Sequence, residues 1–206
     1  MRDTARLELA VRLIRLEART RTIREWTGLT DDRIRKLYRS YLRDGSQPIK
    51  RHRGKSPQLA SYFLRTHRAL RHASALAALL SAFGALPPGG ARPRGTSRLP
   101  LAALSGALVC DAYETYRSLL PDPDIGFEHA VFLATALAQG RELRLRHCGG
   151  CGSPVVSDGI ALRAPLCERC GSHARTHLAR AAQARALSVA SRGPFSPNPP
   201  QPNPAH

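Results

Sequence analysis

Aromatic side chains are scarce in this 206-residue chain: one Trp, five Tyr and five Phe, 5% of the residues, although 42% are hydrophobic. A core made from this set rests on Leu, Ala, Val and Ile, and β-branched alternation is also rare. Both point to packed helices. No apolar run approaches the ~20 residues of a membrane-spanning helix. The first thirty residues carry arginine throughout and lack the apolar segment of a secretory signal. The expectation is a cytoplasmic protein with no membrane partner. Cysteine is limited to five residues. That odd number, in a compartment that keeps thiols reduced, argues against a closed disulfide framework. The sequence has no GxxxxGK[ST], no GxSxG and no HExxH, and its 15 acidic residues are few and scattered. With no catalytic set to rest on, the chain is not expected to be an enzyme; a nucleic-acid enzyme such as a nuclease is the third alternative.

Acidic residues are outnumbered by 32 basic ones, giving a net charge of +17 and an isoelectric point near 11.1. Such a surface attracts a polyanion. Only Lys36, Lys50 and Lys55 are lysines, and an Arg- and Ala-rich composition also follows from codon bias. Distribution separates the two explanations. Residues 1–56 carry a net +9, residues 57–140 only +2, and residues 141–206 a net +6. Bias alone would spread the charge evenly, so its concentration at the two ends favours nucleic-acid binding.

The hydrophobic pattern predicts helices over 4–17, 19–26 and 31–42, with Thr4 capping the first and Gly45 ending the third. Further helices are expected over 58–83, 100–120 with Pro100 in its first turn, and 125–145. The expected organisation is a helical region over 1–45 and a basic linker over 46–57. A central helical region follows over 58–146, then a cysteine module with a basic helix over 147–190, and a disordered Pro-rich tail over 191–206. The fold class is mainly α: a multi-helix domain with a helix-turn-helix-like N-terminus and a small four-cysteine zinc module near the C-terminus.

The stretch TIREWTGLTDDRIRKLYRSYL (22–42) has helix-turn-helix spacing. Ile23 faces inward, Gly28 takes the turn, and Leu29, Ile34, Leu37, Tyr38 and Tyr41 form the inner side of the second helix. Thr30 is the expected N-cap. Arg33, Arg35, Lys36 and Arg39 are the candidate DNA contacts on this helix, joined by Lys50, Arg51, Arg53 and Lys55 of the linker. Arg24 stands where such motifs often use a small residue, and Asp31 and Asp32 oppose phosphate unless they complement the helix dipole. A helical hairpin with a solvated charged face is the competing explanation.

Cys148-x-x-Cys151 and Cys167-x-x-Cys170 are separated by fifteen residues, the spacing of a four-cysteine zinc site. Each pair turns two sulfurs towards one point, and Gly149, Gly150 and Gly152 let the backbone curl. Four thiolates close a tetrahedron around one Zn2+ and leave no vacant position for hydrolysis, so the expected role is structural. An iron–sulfur cluster or redox thiols are the alternatives; the latter lack the βαβ surroundings of a thioredoxin-like pair. His147, His173 and His177 flank the module, and Cys110 is expected to be a buried small side chain.

In this order the segments ELAVRLIRLEARTRTIREWTGLTDDRIRKLYR, HASAL (72–76), CGGCGSPVV and CERC resemble the C subunit of the bacterial flagellar master transcriptional activator, the FlhC family. The resemblance spans about residues 5–187. It implies a mainly helical protein with a zinc-stabilised C-terminal part, with Cys148, Cys151, Cys167 and Cys170 as ligands. It also implies a hetero-oligomer with the small flagellar activator D subunit, and activation of flagellar or related operons through double-stranded promoter DNA and RNA polymerase. The stretch PPGGARPRGTSRLP and the Pro-rich tail depart from the family. An RNA- or ribosome-associated zinc-ribbon protein accounts equally well for the charge and the cysteines.

Overall fold

The computed structural model describes residues 2–43, 57–86 and 104–173, with Thr176 and Gln183 beyond them. The chain divides into two compact units, Met1–Glu168 and Arg169–His206. Of the second, helical backbone is described through residue 173. The linker with Lys50, Arg51, Arg53 and Lys55, the stop at Gly45, the PPGG stretch with Pro100, His177 and the Pro-rich tail lie outside the described residues.

The first unit is mainly helical. α1 (Arg2–Arg15), α2 (Thr20–Thr27) and α3 (Asp31–Arg43) are followed by a 3-10 turn (Ala60–Phe63), α4 (His67–Ala82), α5 (Gly106–Leu119), α6 (Phe127–Gln139), β1 (Leu143–His147) and β2 (Pro154–Asp158). α1 buries Ala10, Leu13, Ile14 and Leu16. It starts at Arg2, so Thr4 lies inside it rather than at its cap. It ends where Ala18 N–H bonds to Leu13 O and Glu17 takes a left-handed φ of 61°, a position that favours glycine because a Cβ crowds the carbonyl there.

The helix expected over 58–83 is broken. Thr66 is extended and its hydroxyl accepts from Ala69 N–H at 3.0 Å, so it caps a new helix, α4. α4 buries Ala69, His72, Ala73, Leu76, Ala77 and Leu80, one stripe at three- and four-residue steps. Small alanines on that stripe let α5 and the hairpin approach closely. α5 opens on Ser105 and buries Val109, Cys110, Ala112, Tyr113 and Tyr116. α6 buries nine of its thirteen residues and forms the centre of the unit, against α4, α5 and β1.

The N-terminal helices are tied to this centre at several points. Trp26 packs edge-on against Phe127, and its indole lies where a Cβ on Gly106 would stand, 2.8 Å from the nearest ring atom. Buried Glu128 accepts from Arg19 N–H at 2.8 Å and from the Thr22 hydroxyl at 2.9 Å, and so caps the start of α2 from another helix. Arg12 joins α1 to α5 through Asp111 and Glu114, each at 2.6 Å.

The helix expected over 125–145 stops at Gln139. Gly140 adopts a left-handed φ of 62°, and its N–H bonds to Ala136 O. Residues 143–147 then form a strand, antiparallel to 154–158, in register from Leu143 opposite Asp158 to His147 opposite Pro154. The cysteine module is thus entered from a strand, not from a long helix. LRLRH alternates apolar and basic residues, the period of a half-buried strand.

Candidate metal centre and helix-turn-helix surface

The hairpin loop between β1 and β2 is a tight knuckle. Cys148 N–H bonds to Ser153 O at 2.8 Å, Gly152 N–H returns to Cys148 O at 2.9 Å, and Gly152 has a φ of 73°. This curl points Cys148 and Cys151 the same way. After β2 the chain runs to Cys167, and the helical backbone that begins at residue 168 places Cys170 one turn on. The four sulfurs lie within 4.8 Å of one another, with Cys151 and Cys167 at 3.6 Å.

The donor set fits a metal ion. Cys148 is buried, and its sulfur accepts from Cys167 N–H at 3.2 Å and Gly150 N–H at 3.4 Å. These hydrogen bonds, Cys167 first, draw its thiol down to about 6, favouring the thiolate that binds metal. Cys110 is the opposite case: fully buried in α5, its thiol is pushed up to about 12 by desolvation. It is a packing residue, as expected. Neither exposed flanking histidine joins the cluster. His147 Nδ1 lies 3.1 Å from Gly152 O within the knuckle, and His173 is exposed.

The hairpin is seated on α4 by a residue to which the sequence assigned no role. The Ser74 hydroxyl accepts from Val156 N–H at 3.0 Å, beside buried Val155 and Val156. Two residues earlier on α4, buried His72 meets the Tyr116 hydroxyl at 2.7 Å, and that hydroxyl also accepts from Ile125 N–H at 3.3 Å. The HASAL segment thus joins α4 to α5 through His72 and to the hairpin through Ser74.

The turn between α2 and α3 is firmly built. Gly28 has a φ of 67°, and its N–H bonds to Arg24 O at 2.8 Å. Arg6 Nε reaches Thr27 O at 2.8 Å. The Thr30 hydroxyl accepts from Arg33 N–H at 3.4 Å, the expected cap. Ile23, Leu29, Ile34 and Tyr38 are buried and Leu37 is half-buried. The Tyr38 hydroxyl donates to Ala18 O at 2.8 Å, fastening α3 to the α1–α2 turn. Arg24 is accommodated by pointing outward, 3.5 Å from Asp31, while Thr22, Ile23 and Thr27 occupy the packed side. Arg33, Arg35, Lys36 and Arg39 are all exposed. Arg35 holds Asp32 at 2.7 Å, an exposed pair of little stability, so both acidic residues at the helix start are matched by arginines.

Among the described residues, no helix is long and apolar enough to cross a membrane. The fold and site define a mainly helical protein with a four-cysteine cluster able to hold a metal. Compared with known proteins, the chain matches no family model and no curated sequence.

Proposed function

We propose that the protein is a DNA-binding subunit of a transcriptional activator resembling the flagellar master regulator, working with a small D-type partner subunit and RNA polymerase on promoter DNA. The observation that carries this reading is the α2–Gly28–α3 unit. Its inner face is buried and its turn is fixed by hydrogen bonds, while Arg33, Arg35, Lys36 and Arg39 are exposed along α3. A rigid helix with donors on its outer face can enter a major groove, where arginine reads guanine or grips phosphate. The net charge of +17 supplies long-range attraction to the duplex.

In this reading the four cysteines hold one structural Zn2+, since four thiolates close its coordination sphere and leave no open position. Hydrolysis at the metal then has no open position, and the proposed protein is a non-enzymatic regulator acting in the cytoplasm.

The test is Arg35→Ala combined with Lys36→Ala. Duplex binding is expected to weaken about tenfold or more with helix content unchanged, as removal of a base contact costs about 1–3 kcal/mol. For about six neutralised phosphates, the logarithm of affinity should fall with the logarithm of salt at a slope of about −5. Unchanged binding by the double variant would remove α3 from the interface. Tighter binding to structured RNA than to duplex DNA would favour the RNA-associated alternative.

A further inference from the structure

The segment joining β2 to the second cysteine pair exposes apolar side chains on a firm support. Leu162 is 97% exposed, Ile160 82% and Leu166 43%. Here the backbone is held at both ends and in the middle. At the start, Gly159 N–H bonds to Glu142 O at 2.9 Å, and the Asp158 carboxylate accepts from Ile160 N–H at 2.9 Å. At the tip, one guanidinium nitrogen of Arg146 donates to Ala161 O at 2.9 Å and Arg163 O at 3.0 Å, bracketing Leu162. At the end, Pro165 O accepts from Gly149 N–H of the knuckle at 3.0 Å. Leu162 is thus presented outward at the crest of a braced loop, with exposed Arg163 next to it.

The surroundings favour a polyanion. Over residues 141–163, Arg141, Arg144, Arg146 and Arg163 outnumber Glu142 and Asp158. Asp158 is engaged by the loop itself, and Glu168 lies 3.5 Å from Arg71. An aliphatic side chain flanked by arginine is the combination that enters between base steps, the apolar group replacing a stacking partner while the cation holds the adjacent phosphate.

We propose that the 159–166 loop is a wedge for duplex DNA, in which Leu162 inserts at a deformable base step and Arg163 contacts the neighbouring phosphate. This rests on the DNA-binding reading above and adds a contact separate from α3. Flexible pyrimidine–purine steps should be preferred because they unstack most easily.

The experiment uses the full-length protein and a mixed-sequence duplex carrying 2-aminopurine at its TA steps, at low salt. Wild-type protein is expected to raise 2-aminopurine emission as the step unstacks. Leu162→Ala should abolish that rise and weaken binding about tenfold or more, as loss of most of a buried aliphatic side chain predicts, with the salt slope unchanged. Leu59→Ala, at a 73% exposed leucine on another segment, serves as the control and should keep both signals. Circular dichroism should be the same for all three proteins. Wild-type binding without an emission rise, or Leu162→Ala indistinguishable from wild type, overturns the wedge and leaves the DNA-binding reading standing. Failure of wild-type protein to bind the duplex overturns both. If Leu162→Ala instead splits a sedimenting dimer while the emission rise persists, the loop joins two copies of the chain and the wedge is overturned.

Discussion

His72 illustrates how one side chain can make a helical core sensitive to pH. Burial is the main cause that lowers its tendency to protonate, and nearby Arg68 and Arg71 add to it. The folded state therefore prefers the neutral ring, whose Nδ1 lies 2.7 Å from the Tyr116 hydroxyl. Since the folded pKa lies below the unfolded one, the unfolded chain takes up more protons as pH falls. The contribution is complete above about pH 6.5, the ordinary histidine value, and is lost below it. The melting temperature should drop between pH 7 and 5, and part of that slope should vanish in His72→Gln; a second part belongs to His129, which burial shifts the same way. Parallel thermal melts of the two proteins across that range check this. Gly159 makes a separate demand. A Cβ there would run into the Arg141 carbonyl, so the backbones at the base of the hairpin touch only because no side chain intervenes. Gly159→Ala should cost about 3 kcal/mol of stability in denaturant titration, at the upper end of ordinary single substitutions.

At the scale of elements, the knuckle, β2 and the four-cysteine cluster act as one device. The hairpin contributes few large apolar residues, chiefly Leu143, Val155 and Val156. A bound metal would supply what that small core does not; structural zinc is worth about 10–16 kcal/mol in small zinc modules. On the proposed reading, the protein purifies with one equivalent of zinc. Cys167→Ser should lose it and expose the 143–173 segment to protease while α1–α3 stay protected. Metal analysis with limited proteolysis decides this, and stoichiometric zinc in the variant would show the ligand set wrong. Much of this device was legible in the sequence, because paired Cys-x-x-Cys spacing is a strong local signal. Its first strand was not. LRLRH follows an apolar helix, and its period of two was absorbed into the helical pattern, although Gly140 is a helix terminator. Likewise Thr66 split a predicted helix because a hydroxyl in the middle of a periodic run can cap as readily as continue it. Ser74 was out of reach, since its partner Val156 lies 82 residues away.

For the whole molecule, pattern and packing agree on a mainly helical chain, but the order of contacts is not the order of sequence. The helix-turn-helix was legible from Ile23, Gly28 and Ile34 because those residues act over a few positions. The ties that hold it were not: Arg12 to Asp111, Arg19 to Glu128 and Trp26 to Phe127 join residues about a hundred positions apart. Such ties are invisible to periodicity and cost loop-closure entropy before they give any return. They also set a schedule for synthesis. As the chain leaves the ribosome, Trp26 lacks its edge-on contact with Phe127, and the first turn of α2 lacks its Glu128 acceptor, until those two residues have emerged. Fragments that stop before α6 should therefore be poor carriers of a folded α2–α3 unit, and α3 becomes rigidly seated only after most of the chain has been made.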